Sequence, residues 1–198
     1  MTTARNKTLK RCEWCTGDPL YQHYHDTEWG VPTWDDQTLF EFLLLEGAQA
    51  GLSWITILRK REGYRRAFDN FNAERIARYT DKKLARLLQN PEIVRNRLKL
   101  ASAVRNARAF LDIVETHDSF SDFIWQFVDG RPVQNRWQSL AQVPASTDVS
   151  DTMSKQLKKR GFNFVGSTIC YAFMQATGMV NDHITRCHRY RICKSLAP

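Results

Sequence analysis

The chain has 198 residues and a formal net charge of +8 at pH 7, which is enough length for one substantial core or two small lobes. No apolar run approaches the length of a membrane-spanning helix, which excludes an integral membrane protein. No secretory signal precedes Cys12, so we expect a cytoplasmic protein whose five cysteines are thiols or metal ligands and not disulfides.

The positive charge favours a polyanion as partner, although a merely basic, solvated surface would give the same composition. The basic residues are concentrated in short segments. These segments are Arg59–Arg61, Arg95–Lys99, Arg105–Arg108 and Lys155–Arg160.

Near the N-terminus, residues 21–30 are rich in aromatic side chains. Their spacing fits neither a helix nor a strand, which predicts an ordered loop. Loops of this composition usually line a site.

A nearly continuous apolar run, Leu39–Leu45, follows and predicts a buried helix capped by Asp35 or Asp36. This helix is expected to end at Glu46, which places a carboxylate at the edge of the core. A carboxylate there needs a partner.

Gly47 and Gly51 are expected to break the helix after Glu46. Large apolar side chains, Leu52 and Trp54, come immediately after the break. The stretch therefore predicts the rim of a pocket.

Further helices are predicted from N-cap residues and from apolar side chains at helical spacing. They are a helix from Ser53 to near Gly63, Ala73–Tyr79, Asp81–Leu88, a long helix from Asn90-Pro91 to His117, Phe123–Val128, Asp151–Lys159 and a last long helix from Ser167 to Gly178. The polar residues 129–147 are predicted to be a connecting loop. Because no stretch predicts a strand, we expect an all-α fold of two helical lobes with a cleft between them.

Residues 160–166 form a predicted hairpin between two helices. The free backbone N–H groups at the start of the second helix suit a phosphate group. An ordinary helix-turn-helix corner with Gly161 as C-cap would look the same in sequence, but the net charge favours phosphate binding. The predicted DNA contacts at this hairpin are Lys159, Arg160, Gly166, Ser167 and Thr168.

Cysteine and histidine residues are concentrated at the two ends of the chain. His183 and Cys187 are spaced to share one face if the segment is helical, and Cys12 and His25 could complete a tetrahedral Cys₂His₂ zinc site. Cys12 and Cys15 make a competing set with the same two C-terminal residues, and scattered reduced thiols are a further interpretation. A zinc ion here would fasten the chain ends together.

Glu46 and the surrounding aromatic residues could form a pocket of π faces with one carboxylate. Such walls suit a flat, cationic heterocycle, which aromatic faces attract and on which a nucleobase stacks. The alternative is that the aromatic residues only fill the core. The predicted base-binding residues are Glu46, Tyr24, Trp54, Trp14, Tyr21 and Trp29.

Five sequence blocks in this order closely resemble the bacterial 3-methyladenine DNA glycosylase I family, from about Cys12 to Cys187. The blocks are Cys12-x₁₂-His25, Tyr21-x-x-Tyr24-His25-Asp26-x-Glu28-Trp29-Gly30-Val31-Pro32, Leu45-Glu46-Gly47-x-Gln49-Ala50-Gly51-Leu52-Ser53-Trp54, Lys158-Lys159-Arg160-Gly161-Phe162-x-Phe164-Val165-Gly166 and Val180-Asn181-Asp182-His183-x₃-Cys187.

The resemblance implies an all-α helix-hairpin-helix glycosylase over residues 12–187, between an N-terminal extension (1–11) and a C-terminal tail (188–198). It implies a structural zinc and selects its ligands as Cys12, His25, His183 and Cys187. The implied partner is double-stranded DNA containing alkylated bases, and free 3-methyladenine is the product. Nothing in the sequence demands more than a monomer.

The resemblance also implies hydrolysis of the N-glycosidic bond of 3-methyladenine. Glu46 would accept hydrogen bonds from the flipped base, Tyr24 would help to hold it, and Trp54 and Trp14 would stack on it or wall it. Tyr21 and Trp29 match pocket positions of the family. Leu52, after Gly51, is the candidate to fill the gap left in the duplex.

In many members of the wider superfamily an aspartate stands where this chain has Asn181. Glu46 is therefore the leading candidate for catalytic electrostatic help, and Asp182 is a weaker one. No lysine occupies an evident nucleophile position, which predicts a monofunctional enzyme that leaves an abasic site. The alternatives are a non-catalytic zinc-stabilised protein that binds alkylated DNA, and a glycosylase with a broader range of alkylpurines.

Overall fold

The structure is a computed structural model that describes residues 9–196, so most of the predicted N-terminal extension lies outside the described residues. Helices dominate the described chain, which confirms the expected fold class. They are α1 (Pro19–Thr27), α2 (Asp36–Gln49), α3 (Trp54–Ala67), α4 (Ala73–Ala77), α5 (Asp81–Leu87), α6 (Arg97–Thr116), α7 (Phe120–Trp125), α8 (Asp148–Lys159), α9 (Ser167–Ala176) and α10 (His188–Ser195).

The central helix is α2, whose residues from Leu39 to Ala48 are all buried. It packs against α3, α6, α7 and α9, which explains why its sequence is apolar on every side. The Asp35 side chain caps the helix by accepting a hydrogen bond from the Thr38 amide at 2.8 Å. The site residues on α2 are therefore held by the best-packed part of the fold.

Two very short strands contradict the prediction that the chain has none. Strand β1 (Val133–Gln134) pairs in parallel with β2 (Val180–Asn181), with Val133 opposite Val180. Two residues per strand are too few to show the alternation that reveals a strand in sequence. The pairing fastens the predicted connecting loop to the segment that precedes His183.

The aromatic segment predicted as a loop is mostly helical. Helix α1 begins with Pro19 at its first turn, and the Asp18 side chain accepts hydrogen bonds from the amides of Leu20 and Tyr21. An N-cap followed by proline is a helix-start signal. The aromatic residues hid this signal because they face both the core and the cavity described below.

The long helix predicted from Asn90-Pro91 begins later, at Arg97, where Asn96 caps it. Residues 90–96 instead form turns that bond to α3, through Lys60 Nζ to the Pro91 carbonyl and the Val94 amide to the Tyr64 hydroxyl. These tertiary hydrogen bonds outweigh the local preference of proline for a first helical turn.

Only one of the two glycines predicted to end α2 does so. The helix continues through Gly47, and the chain turns at Gly51, which has φ +77°. A Cβ atom at Gly47 would lie 3.2 Å from the Cβ of Phe164, so this glycine permits close packing inside the helix. The break predicted at Gly47 is wrong, whereas the break at Gly51 is confirmed.

Helix α9 is not the last helix. It ends at Ala176, and the predicted C-terminal tail contains α10. The His188 amide at the start of α10 donates to the Lys10 carbonyl at 2.8 Å. The two ends of the described chain therefore meet beside the cysteine and histidine cluster.

In one of the predicted basic segments, Arg59–Arg61, arginine side chains form ion pairs within the protein. Arg61 is 7% exposed and bonds to Glu41 and Glu28, while Arg59 pairs with Asp18. This segment is therefore not a free surface for a polyanion. Within residues 9–196, none of the helices combines the length and hydrophobicity needed to cross a membrane.

Candidate functional site

A cavity of about 200 Å³ lies between α1, α2, α3 and α9. Since a water molecule in the liquid takes up about 30 Å³, the space exceeds that of several waters. All of the aromatic residues predicted for the base pocket line it together with Glu46. They are Trp14, Tyr21, Tyr24, Trp29 and Trp54.

Glu46 lies on α2, one turn before the helix ends, and is 3% exposed. Its Oε2 atom has no hydrogen-bond partner among the described residues. Burial raises the pKa of Glu46 to about 8, because a charged carboxylate is poorly solvated in an apolar environment. Near neutral pH the side chain of the free protein is therefore largely protonated.

Two further buried polar atoms on this cavity lack a hydrogen-bond partner, as Glu46 Oε2 does. The Tyr24 hydroxyl and the Trp54 indole Nε1 also find no partner within residues 9–196. Buried polar groups in folded proteins are nearly always hydrogen-bonded. Three such atoms on one cavity, an acid, a phenol and an indole N–H, therefore indicate a binding site for a polar molecule.

The aromatic rings pack on one another as well as facing the cavity. The ring centroids of Tyr24 and Trp54 are 5.6 Å apart, and Trp14 lies 4.8 Å from Tyr21 and 4.9 Å from Trp29 with edge contacts. Burial, with a smaller contribution from Glu46, raises the pKa of Tyr21 to about 12, so its phenol is neutral. The rings thus serve as both core and cavity wall.

Sequence reasoning missed several lining residues. Gln49 lies one helical turn after Glu46 on α2, a spacing that could have identified it. Leu140 and Val143 come from the segment predicted only as a connecting loop, and Gln175 comes from α9. These residues reach the cavity through tertiary packing, which leaves no local sequence signal.

Asp182 also lines the cavity and is 2% exposed. Its two oxygens accept hydrogen bonds from Asn135 and Trp137 on one side and from Tyr171 and Gln175 on the other, at 2.6–2.8 Å. These donors occupy the acceptor sites of a carboxylate. Asp182 therefore fastens the β1 segment to α9 and has no lone pair left for a ligand.

The four predicted metal ligands, Cys12, His25, His183 and Cys187, come together in one buried cluster with their ligand atoms within 4.8 Å of one another. The Cys187 Sγ lies 3.4 Å from His25 Nε2 and 3.6 Å from His183 Nδ1, and the Cys12 Sγ lies 3.6 Å from His183 Nδ1. In a tetrahedral site with metal–sulfur bonds of about 2.3 Å and metal–nitrogen bonds of about 2.0–2.1 Å, sulfur and nitrogen ligands lie about 3.6 Å apart.

The segment from His183 to Cys187 is a turn and not the helix on which the spacing argument rested, with the Cys187 amide donating to the Ile184 carbonyl. The turn brings the two side chains together all the same. Cys15 is buried but is not part of the cluster. The competing ligand set containing Cys15 is therefore wrong.

Each histidine of the cluster is oriented through its second ring nitrogen. His25 Nδ1 lies 2.8 Å from Asp26 Oδ1, and His183 Nε2 lies 3.0 Å from the Trp29 carbonyl oxygen. Such partners fix the ring orientation of metal-binding histidines. Arg11 in turn holds Asp26 with a hydrogen bond of 2.7 Å.

The protonation preferences of Cys12, Cys187 and His183 also suit the binding of a metal ion. The interaction between the two thiols lowers the pKa of Cys187 and raises the pKa of Cys12, so Cys187 is the thiol that loses its proton more readily. Burial lowers the pKa of His183, which keeps its imidazole neutral. Thiolate sulfur and neutral imidazole are the forms that bind metal ions.

Next to the cavity, residues 50–53 form the turn between α2 and α3, called here the α2–α3 turn. It carries Leu52, a large apolar side chain that is 41% exposed. The Leu52 amide donates to the Gln49 carbonyl at 2.6 Å. The turn therefore presents an apolar side chain to solvent between two residues that line the cavity, Gln49 and Trp54.

The predicted hairpin, residues 160–166, joins α8 to α9. Gly166 is the N-cap of α9 and offers no side-chain cap, so the first amides of α9 are free for a ligand. Lys159 and Thr168 are exposed beside them. Arg160 is partly engaged, because its guanidinium lies 4.4 Å from the centre of the Phe123 ring.

Comparison with known proteins decides the family. The family model described as methyladenine glycosylase matches residues 14–190. The chain belongs to the methyladenine glycosylase family. The resemblance found in the sequence blocks is thereby confirmed.

Individual relatives of the family cover almost the whole chain. The DNA-3-methyladenine glycosylase 1 of Escherichia coli (strain K12) is 50% identical over 182 residues, which are 92% of this chain and 97% of the relative. A crystal structure of 3-methyladenine DNA glycosylase I superposes with a TM-score of 0.89 at 55% identity and covers 90% of this chain and 98% of its own.

A third relative shows what another family member binds. It is a tyrosine-to-phenylalanine variant of a 3-methyladenine DNA glycosylase I, in a crystal structure in complex with 3-methyladenine. Its TM-score to this chain is 0.88 at 38% identity, with 90% of this chain and 96% of that chain covered.

Proposed function

We propose that the protein is a DNA repair glycosylase that flips 3-methyladenine out of duplex DNA and hydrolyses its N-glycosidic bond. The observation that carries this proposal is the set of three unpartnered polar atoms, on Glu46, Tyr24 and Trp54, facing one aromatic cavity. A purine offers both flat faces for the rings and polar edges for these atoms. The 3-methyladenine complex of the 38% identical relative supports the same ligand.

The chemistry follows from the charge of the substrate. A 3-methylated adenine is cationic while it is attached to its sugar, and it leaves as a neutral base. It therefore needs little help from a general acid. The work of the cavity is to select the base and to hold the sugar bond where water can attack.

Glu46 receives the base in this scheme. Its Oε2 atom accepts a hydrogen bond from the amino edge of the flipped purine, while the Tyr24 hydroxyl and the Trp54 N–H bond to other polar atoms of the ligand. A cationic base favours the ionised form of Glu46, which burial alone disfavours. The carboxylate so formed also stabilises positive charge that develops on the sugar.

Selection against normal adenine has the same physical origin. Aromatic faces attract a cation with about 0.5–2 kcal/mol each, and a neutral adenine gains much less from them. Flipping costs a few kcal/mol of unstacking, which the walls and Glu46 offset for the cationic base only. Adenine should accordingly stay in unmethylated duplex DNA under conditions in which 3-methyladenine is released from methylated duplex DNA.

We also propose that the enzyme is monofunctional. Bond cleavage of the DNA backbone by a glycosylase requires an amine nucleophile that forms a Schiff base. None of the described residues that line the cavity is a lysine. The expected product is an abasic site in an intact strand.

Two surface features provide the proposed DNA contacts. Leu52, exposed on the α2–α3 turn, fills the space left by the flipped base, and Gly51 allows the turn to approach the duplex. The free amides of Gly166, Ser167 and Thr168, with Lys159 and Arg160 nearby, bind a backbone phosphate.

The metal that the cluster holds is proposed to be zinc. Two cysteines and two histidines form a closed donor set without a position for substrate, which is typical of structural zinc. The metal would supply stability by joining α1, the turn at His183 and α10, and it takes no part in the reaction.

Base release from methylated DNA tests the proposal. Protein incubated with duplex DNA treated with a methylating agent should release 3-methyladenine, detected by chromatography, and should leave alkali-sensitive sites without nicks. Glu46→Gln and Trp54→Ala should lose release while retaining the metal, measured by elemental analysis. Binding of methylated DNA without any base release would instead establish a lesion-binding protein.

The same assay defines the substrate range. The released bases are compared with 7-methylguanine, 7-methyladenine and 3-methylguanine standards. Release of 3-methyladenine alone is expected if the three unpartnered atoms on Glu46, Tyr24 and Trp54 pair with the edge of this one purine. Release of several alkylpurines at similar rates would establish the broader glycosylase.

A further inference from the structure

We propose that α6 positions the two DNA-contacting loops relative to each other, with Lys99 holding the α2–α3 turn and Asn106 holding the hairpin. This inference rests on the proposed function and deepens it. It assigns roles as positioning residues to two side chains that line neither the cavity nor the metal cluster.

Lys99 is partly buried and is bound to two main-chain oxygens. Its Nζ donates to the carbonyl oxygens of Ala48 at 2.8 Å and Ala50 at 2.6 Å. These are carbonyls at the C-terminal end of α2, where a positive charge is favourable. Ala50 directly precedes Gly51 and Leu52, so Lys99 fixes the point from which the α2–α3 turn departs.

Asn106 makes a matched pair of bonds with the hairpin. Its Nδ2 donates to the Asn163 carbonyl at 3.0 Å, and its Oδ1 accepts from the Asn163 amide at 2.8 Å. The side chain is 2% exposed. An asparagine that binds both backbone groups of one residue fixes the hairpin in position and orientation.

Lys99 and Asn106 lie on the same face of α6, since seven residues are close to two helical turns. They are about 10 Å apart along the axis at about 1.5 Å per residue. A helix is stiff over this distance, so the separation between the two anchored loops is set by α6.

A third contact joins the hairpin directly to α2. Phe164 of the hairpin packs directly on α2 at Gly47, next to Glu46 in sequence, where a Cβ atom would lie 3.2 Å from the Phe164 Cβ. The anchored turn, the hairpin and the base-binding helix therefore form one unit around α6. A duplex that seats its phosphate on the hairpin would find Leu52 and Glu46 at fixed positions.

The test compares duplex DNA with single-stranded DNA. Only a duplex requires the hairpin and Leu52 to engage together, while free 3-methyladenine requires the cavity alone. Lys99→Met and Asn106→Leu should each lower kcat/KM for base release from duplex DNA by about tenfold or more, since small misplacements are costly in catalysis. Release from the same methylated strand without its complement, and the affinity for free 3-methyladenine, should change by less than about twofold.

Matched variants separate positioning from charge and folding. Lys82→Met removes an exposed lysine of α5 and controls for the lost positive charge, so it should leave the duplex-to-single-strand ratio unchanged. Lys99→Arg keeps a donor for the α2 carbonyls and should restore much of the ratio. Asn106→Asp keeps size and one hydrogen bond, and it replaces Asn106→Leu if that variant does not fold.

The double variant gives an independent readout. If Lys99 and Asn106 together set the distance between the two loops, removing either one already releases that distance. The fold loss of kcat/KM on duplex DNA in the double variant should therefore be smaller than the product of the two single fold losses. Two results with an active wild type would overturn this inference alone. One is a Lys99→Met variant whose ratio of duplex to single-strand release equals that of the wild type. The other is a variant whose affinity for free 3-methyladenine falls as much as its activity on duplex DNA. A wild type that releases no base would overturn the proposed function instead.

Discussion

Asp26 Oδ1 lies 2.8 Å from the Nδ1 of His25, whose Nε2 in turn faces the sulfur of Cys187 at 3.4 Å. The carboxylate thus orients a side chain of the cysteine and histidine cluster without belonging to the cluster. Partners of this kind typically contribute 10–100-fold in metal affinity. This relationship gives the first prediction.

Asp26→Ala should weaken zinc binding by about 10–100-fold, because His25 loses the group that holds its ring. Competition with a chromogenic zinc chelator measures the affinity. Asp112→Ala, on the far helix α6, serves as the control and should leave the affinity unchanged. An Asp26→Ala protein with wild-type zinc affinity would contradict the orienting role.

The pH dependence of stability should reveal Glu46. Its pKa is 4.5 when unperturbed and about 8 in the fold, so the folded protein binds more protons than the unfolded chain between these values. The contribution of the protonated form is fully present below pH 4.5 and is lost as the pH rises towards 8. The loss should amount to a few kcal/mol at about 1.4 kcal/mol per pKa unit.

Glu46→Gln cannot ionise and should not show this loss. Urea unfolding at several pH values between 5 and 8 measures the difference, which should grow with pH in favour of the variant. A constant difference across this range would show that Glu46 ionises normally in the fold.

The catalytic activity should also depend on the ionisation of Glu46, but it should increase with pH whereas the stability decreases. If ionised Glu46 receives the cationic base, kcat/KM should rise with pH and level off above about 8, the pKa of the free enzyme. Single-turnover release from methylated DNA across pH 6–9 measures this profile. A rate that falls through the same range would indicate that the protonated acid is the active form.

Tyr24→Phe should separate binding from stability. The Tyr24 hydroxyl is buried without a partner among the described residues, and such a group costs about 1–3 kcal/mol. Removing it should leave the free protein as stable as the wild type or more stable. Its affinity for free 3-methyladenine should nevertheless fall, by up to about tenfold, since a hydrogen bond between uncharged groups contributes about 0.5–1.5 kcal/mol.

Thermal unfolding and quenching of tryptophan fluorescence by the free base check the two halves of this prediction. Tyr64→Phe provides the control, because that hydroxyl accepts a hydrogen bond from the Val94 amide and is remote from the cavity. It should lower stability and leave base affinity unchanged. A Tyr24→Phe protein that is less stable yet binds the base normally would contradict the proposed role.

Leu52→Ala should affect DNA and not the fold. The side chain is 41% exposed, so its truncation should change the free energy of unfolding by less than about 0.5 kcal/mol. Base release from duplex DNA should fall at least about tenfold, because nothing then fills the space left by the base. Leu98→Ala, an equally apolar side chain that is 67% exposed, is the control for lost surface hydrophobicity.

The sequence by itself determined the helical class, the central apolar helix and the identity of the family. A run such as Leu39–Leu45 is buried wherever it lies, and the blocks around Glu46 and Cys187 carry the family pattern without reference to the fold. Local signals also placed most helices to within a few residues. They failed where aromatic density hid the cap at Asp18 and where tertiary bonds held residues 90–96 away from a helix.

Only the tertiary structure decided which residues meet. The grouping of His25, and not Cys15, with the other three predicted metal ligands, the enclosure of Asp182 by four donors and the bonds from Lys99 to the end of α2 depend on elements that are far apart in the chain. Spacing cannot reveal such contacts, because it describes neighbours along a helix and not across a core. The unpartnered atoms of Glu46, Tyr24 and Trp54 are likewise visible only when every possible partner has a position in space.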